Sequence, residues 1–365
     1  MSSFINITTG LNYQEHSHSL IRKRIRESLE KLKTNGNPIK SGDNVAIKVN
    51  IIAPLPPEKA ACTHPEIVRA VIEELKSDGA NVGIYEDCYS DTAADIAGIT
   101  SIAKSLGVEF INLRDRPYRE IEVNGRVYEF YEDILQATHL ISIPKVKTHI
   151  LTNYSGAIKL MYGSITKRQR VSYHRYSEIE DFSKVLVDIF SIKLPTMVIM
   201  DGILSMDGSG PTHGNPVESG LLLISDDAVA ADYYTCKMMN YNPLQIDSIR
   251  IAMERKLVKG DFKDIEFIGK MPEDIKLKFN LIPILSGAMK KRYKKMVFGP
   301  VVFDFNESLC TGCRLCEASC PFNAISMNEY PIVDNEKCEH CLCCAELCPN
   351  GAFTPNFVFE SRWGK

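Results

Sequence analysis

Over the first two thirds of the chain, short apolar runs alternate with stretches whose apolar residues return at helical spacing. Asn44–Val49 reads as an apolar strand. Thr63-His-Pro-Glu66 reads as a capping box, in which the Thr63 hydroxyl and the Glu66 side chain satisfy the first free amides of a helix. Ile67, Val68, Val71, Ile72 and Leu75 then share one helical face, and Gly79 ends it. Residues 82–86 predict the next strand, 95–106 a helix and 108–113 another strand. Residues 119–123 and 127–130 alternate around Asn124-Gly125, a pair suited to a type I′ turn, and so predict a hairpin. Residues 139–144, 195–201 and 221–225 predict further core strands. Residues 228–239 predict a helix with Asp226 and Asp227 at its positive end, and 243–256 a last one. Strand, helix and strand with short breaks imply an α/β fold with a mostly parallel sheet and right-handed crossovers.

The pattern loosens from Leu281 to Pro300, where Lys290, Lys291, Arg292, Lys294 and Lys295 cluster. Such a run is a solvated linker face or a docking patch for an acidic partner or membrane surface. The expected layout is an α/β domain over 1–285, a basic linker over 286–302, a small C-terminal α+β module over 303–357 and a tail over 358–365.

Composition narrows the class. With 365 residues, 44% hydrophobic and 24% charged, the chain has ordinary globular make-up, and its net charge of −3 argues against a nucleic-acid- or membrane-coating protein. The start MSSFINITTG lacks the basic and apolar segments of a signal peptide, and no apolar run reaches the roughly 18 residues of a membrane span. The expected location is the cytoplasm. Nine of the twelve cysteines lie after residue 300, the distribution of a metal site attached to a cysteine-poor body.

Those cysteines carry the clearest chemistry. Cys310, Cys313, Cys316, Cys320-Pro321 and Cys338, Cys341, Cys344, Cys348-Pro349 repeat C-x-x-C-x-x-C-x-x-x-C-P. Three thiolates at this spacing wrap three corners of a cubane, and the fourth reaches the neighbouring one. Cys310, Cys313, Cys316 and Cys348 are therefore expected to hold one 4Fe–4S cluster, and Cys338, Cys341, Cys344 and Cys320 a second. Structural zinc instead uses paired C-x-x-C knuckles separated by a longer stretch. Cys343 has no slot in the motif and reads as a spare loop thiol. The region resembles a bacterial-type two-cluster ferredoxin, which implies single-electron relay.

In the large domain several polar stretches sit where strands should end, the usual place for ligands in parallel sheets. Lys48, Lys145, Lys147 and Lys159 can hold an anionic substrate, with Asn50 and Asn153 orienting it. Gly208, Gly210 and Gly214 let backbone amides approach an anion, although the loop matches no nucleotide fingerprint. His64, His149 and His213 are acid/base or ligand candidates beside plainer roles in capping, and Asp201 and Asp207 are similar. Cys62 and Cys88 read as core thiols. Lys167-Arg168-Gln-Arg170 with Tyr173, His174, Arg175 and Tyr176 reads as a loop over the pocket rather than a nucleic-acid site.

Lys48-Val-Asn-Ile51, Thr63-His-Pro65, Pro144-Lys-Val-Lys-Thr-His149, Asp201-Gly202 and the glycine-rich stretch up to Asp226/Asp227 together resemble the domain of unknown function 362 family. Its members often carry a C-terminal ferredoxin module, and the family name supplies no reaction. The reading is an iron–sulfur oxidoreductase relaying single electrons between a redox partner protein and an anionic substrate or metal centre. Lys48, Lys145, Lys147 and His149 would bind or protonate that substrate. The rivals are an electron-carrier or assembly adaptor, and a non-redox enzyme with structural clusters.

Overall fold

The β-branched residues Val45, Ile47, Val49, Ile141, Ile143, Ile199 and Ile224 are almost wholly buried, as strands covered on both faces require. The computed structural model describes residues 3–13, 15–88, 90, 92–174, 176, 178–281, 302–338 and 341–356. In chain order the strands of the large domain are β1 Phe4–Thr8, β2 Asn44–Val49, β3 Asn81–Glu86, β4 Glu109–Asn112, β5 Tyr118–Val123, β6 Arg126–Tyr131 and β7 His139–Ile143. There follow β8 Lys145–His149, β9 Asn153–Ser155, β10 Met197–Asp207, β11 Asn215–Val217, β12 Leu221–Ser225 and β13 Glu266–Gly269. The main sheet runs β13-β1-β12-β10-β7-β2-β3-β4, with β8 and β11 branching from β10 and β9 pairing with β8. Along that path only β12 runs antiparallel to its neighbours. One apolar layer includes the helices Ile179–Ile192, Ala228–Met238 and Asp247–Glu254, and the other includes Glu15–Thr34, Pro65–Ser77 and Ile99–Ser105.

Most expected elements are present, with informative differences. The cap of the helix Pro65–Ser77 is His64, whose Nδ1 accepts from the Glu66 amide. Thr63 instead donates to the Ile143 carbonyl and accepts from the Asn50 amide, tying two strand ends together. The helix expected over 95–106 is broken at Gly98, which takes a left-handed φ of 76°. The helix Glu15–Thr34 escaped the pattern reading because charged residues surround its buried face of Ile21, Ile25, Leu29 and Leu32. Asn124 and Gly125 adopt φ of 51° and 75°, the turn the hairpin β5–β6 needs. The basic cluster 290–295, Arg175 and the tail 358–365 lie outside the described residues.

The C-terminal region builds two similar halves. Strands β14 Val302–Phe305 and β17 Phe353–Asn356 pair antiparallel, as do β15 Ile325–Met327 and β16 Pro331–Val333. The short helices Leu315–Ala318 and Cys343–Leu347 each follow a left-handed residue, Arg314 and Leu342.

Two buried ion pairs brace the carboxyl ends of the central strands. Lys48 meets Glu86 at 2.6 Å, and Lys145 meets Asp201 at 2.6 Å, with both members of the second pair fully buried. Asp201 also accepts from the Tyr13 hydroxyl and the His64 amide. Removing one member strands the other charge in a medium that cannot solvate it. Lys145→Met is therefore expected to lower stability by about 3–5 kcal/mol. The further change Asp201→Leu should return part of that loss, as measured by denaturant unfolding.

Candidate functional site

The module gathers its cysteines around two cavities. Cys310, Cys313, Cys316 and Cys348 line one, walled by Phe305, Met327 and Phe353. Cys320, Cys338, Cys341 and Cys344 line the other, with Phe322, Ile325, Val333 and Cys343. The Ala324 amide donates to Cys320 Sγ at 3.2 Å, and the Ala352 amide to Cys348 Sγ at 3.3 Å. Each half thus treats its fourth cysteine alike. Among the described residues no group of three or more Cys, His, Asp or Glu converges on a single point. The thiols are instead spread around two apolar hollows, an arrangement suited to cubanes.

The glycine-rich loop after β10 fixes the module to the large domain. The Thr212 hydroxyl donates to the Glu346 carbonyl at 2.6 Å, and His213 Nε2 lies 3.0 Å from the Ala345 carbonyl. Both carbonyls belong to the helix Cys343–Leu347, whose C-terminal oxygens have no partner within the helix. The loop passes so close to β8 that a Cβ on Gly210 would lie 2.1 Å from the Thr148 carbonyl oxygen. Sequence reasoning offered this loop as an anion cradle; the structure uses it as a clasp.

Where the helix crosses the carboxyl ends of β2, β3 and β8 it closes a cavity of about 100 Å³. Asn50, Glu86 and Asp87 come from the ends of β2 and β3, Lys147 from the middle of β8, Gly156 and Lys159 from the segment after β9, and Arg170 and His174 from a neighbouring helix and its cap. Cys343, Glu346 and Leu347 complete the wall. Glu86 is held by Lys48, and Arg170 pairs with Asp87 at 2.6 Å. A Cβ on Gly163 would stand 2.7 Å from Glu86 Oε1, so the ion pair fits only against glycine.

Three lining groups have no opposite charge in contact among the described residues. Lys147 donates only to the Ala61 and Pro211 carbonyls, at 2.7 and 3.4 Å. Burial, with the nearby cations Lys159 and Lys145, pushes its pKa down to about 7. Burial lowers Lys159 as well. Glu346 Oε1 is buried without a hydrogen-bond partner, and burial raises its carboxyl to about 7 against the pull of Lys159 and Lys147.

The lysines and histidine expected to act together do not form one cluster. Lys147 lines the cavity, whereas the Nζ atoms of Lys48 and Lys145 are consumed in the ion pairs behind it. His149 is buried, its Nδ1 accepting from the Leu151 and Thr152 amides while Nε2 has no partner. Burial and the charges of Lys159 and Lys147 hold it well below the usual histidine range. His64 stacks on Tyr13 at 3.5 Å and caps a helix. Asp207 accepts from the Asn280 amide. Cys62 and Cys88 are buried, as expected of core thiols. The basic stretch forms the helix Lys167–Tyr173 rather than a loop. Sequence reasoning missed Glu86 and Asp87, although their place at the end of a parallel strand was a usable signal. It also missed Glu346 and the placement of Cys343, which no local pattern announces.

Comparison with known proteins agrees with this geometry. Residues 45–237 match the domain of unknown function DUF362, and residues 303–326 and 331–354 each match a 4Fe-4S binding domain. The chain is 25% identical to the Thylakoid-associated protein sll1697 of Synechocystis sp. over 270 residues, 73% of this chain and 84% of that one. Over 44 residues, 12% of this chain and 17% of the other, it is 43% identical to one component of the ion-translocating oxidoreductase complex of Methanosarcina acetivorans. The solved lactate racemase apoprotein of Thermoanaerobacterium thermosaccharolyticum overlays 60% of this chain and about half (53%) of its own, at a TM-score of 0.36 and 13% identity. That likeness is too loose to argue from. No described helix is long and apolar enough to cross a membrane. With two cluster-binding halves the protein carries two 4Fe–4S clusters and is of the electron-transfer type. Its large domain, matched over more than half of the chain, makes it a member of the DUF362 family.

Proposed function

We propose that the protein is a cytoplasmic iron–sulfur oxidoreductase that relays single electrons between a redox partner protein and a small anionic substrate in the cavity. The observation that carries this reading is that the helix Cys343–Leu347, which brings cysteines to the second cluster cavity, also forms a wall of the cavity at the strand ends. The proposed ligands are Cys310, Cys313, Cys316 and Cys348 for the first cluster. Those for the second are Cys338, Cys341, Cys344 and Cys320. The clusters supply one-electron transfer; the residues around the cavity bind, orient and protonate.

Cys313, in the first set, is the one exposed cysteine among the described residues, which supports entry of electrons at the first cluster. The short likeness of the module to a component of an ion-translocating oxidoreductase complex supports a redox partner. Lys147 and Lys159 hold the anion, and Lys147, near neutrality in its titration, can also deliver a proton. Lys48 and Lys145 act as positioning residues, holding Glu86 and Asp201. The concentration of thiols in the module supports a reducing compartment.

Reduced protein prepared anaerobically should be re-oxidised, with saturation, by at least one member of a panel of small carboxylates and oxyanions. Lys147→Met is expected to keep both clusters yet weaken that saturation about 100-fold, by loss of a charged contact in a buried site. Cluster-free protein turning over at the normal rate overturns the redox reading.

The charge of the cavity should also set its pH dependence. Below about pH 7 Lys147 is cationic and Glu346 neutral; above it Lys147 is neutral and Glu346 anionic. Both changes disfavour an anion as pH rises. Sulfate, whose own charge is constant over this range, should bind about tenfold more weakly or worse at pH 8 than at pH 6 by titration calorimetry. A flat profile would remove both groups from the site.

A further inference from the structure

Much of the wall of the strand-end cavity comes from one short stretch after β9, for Ser155, Gly156, Lys159, Leu160, Tyr162 and Gly163 all line it. Ala157–Leu160 is a helix of about one turn, too short to hold its own shape, because the first amides of a helix have no partner within it. The Leu160 amide closes the turn on the Gly156 carbonyl at 3.0 Å. The amides of Ala157 and Ile158 are taken instead by Asp232, a residue of the helix Ala228–Met238. Asp232 Oδ1 accepts from the Ala157 amide at 2.7 Å and from the Tyr154 hydroxyl at 3.0 Å, and Oδ2 accepts from the Ile158 amide at 2.9 Å. A Cβ on Gly156 would collide with both Asp232 Oδ1 and the Tyr154 hydroxyl, so glycine is what lets this grip close.

Asp232 is only 2% exposed, and no cation pairs with it among the described residues. A buried carboxylate without a counter-charge is a costly way to cap a turn. A serine or asparagine cap would offer one accepting oxygen, whereas a carboxylate takes two successive amides with its two oxygens and fixes the orientation of both peptides. The next residue after those two amides is Lys159.

We propose that Asp232 is a positioning residue for the anion site, holding from outside the cavity the turn that presents Lys159 to it. This rests on the reading above that Lys159 holds the anion. Asp232 does not line the cavity. Its negative charge alone would repel an anion there, so removing that charge should tighten binding if charge were its only influence. Loss of the grip works the other way and weakens binding through Lys159.

The test is titration calorimetry with sulfate on the anaerobically purified full-length protein, with iron analysis, for wild type, Lys159→Met, Asp232→Asn and the double variant. Lys159→Met is expected to weaken sulfate about tenfold or more. Asp232→Asn should keep full iron and weaken sulfate about tenfold in the wild-type background, but less than about twofold once Lys159 is Met. Equal weakening in the two backgrounds overturns the proposal, because a general loosening of the fold needs no Lys159. Unchanged or tighter binding in Asp232→Asn alone also overturns it. If Lys159→Met leaves sulfate binding intact, the reading of Lys159 as an anion ligand fails and takes the proposal with it. If Lys159→Met weakens binding and Asp232→Asn does not, the proposal alone fails. Should Asp232→Asn fail to fold, Asp232→Ser, which keeps one accepting oxygen, decides by the same comparison of backgrounds.

Discussion

The docking of one short helix across the strand ends is the constraint on which the site depends. Cys343–Leu347 has only about one turn, so most of its carbonyls lack partners within it. Thr212 and His213 satisfy two of them from the large domain. Those bonds fix the module against β8 and β10, and they turn the edge of a ferredoxin-type fold into the wall of a cavity. Gly210, pressed against Thr148, is what lets the clasp come close enough. Without this docking the carboxyl ends of the strands would form an open shelf, and the lysines there would be hydrated and ordinary.

Buried charges divide into two kinds, and the division explains the chemistry. Lys48 with Glu86, Lys145 with Asp201 and Arg170 with Asp87 are paired, so each charge is balanced where it is buried and the pairs shape the site. Lys147, Lys159 and Glu346 line the cavity with no opposite charge in contact among the described residues, and burial moves each toward its neutral form. A ligand with negative charge would supply what the two lysines lack.

The legible parts of the sequence were those governed by local rules. The strands β2, β7 and β12 followed from apolar runs, because burial on both faces leaves no polar alternation to confuse them. The hairpin β5–β6 followed from Asn124-Gly125, whose backbone preference is intrinsic. The helix Glu15–Thr34 was missed, since a narrow apolar face among many charged residues looks like solvated chain until its partner is known. The break at Gly98 was missed for a related reason, as a single glycine does not announce whether a helix bends or stops.

Cysteine spacing alone determined that two clusters can be held here, because ligand reach around a cubane is a matter of a few bonds along one chain. A motif of strand-end lysines likewise marked the working edge of the sheet. Tertiary structure decided which of those lysines are free. Lys48 and Lys145 meet carboxylates carried by other strands, Glu86 and Asp201, whereas Lys147 meets only backbone carbonyls. It also decided that a glycine-rich loop clasps the module, and that Glu346 and Cys343 share a cavity with the lysines. Those outcomes depend on contacts between segments far apart in sequence, and the electrostatic fate of a side chain is set by what folding places beside it.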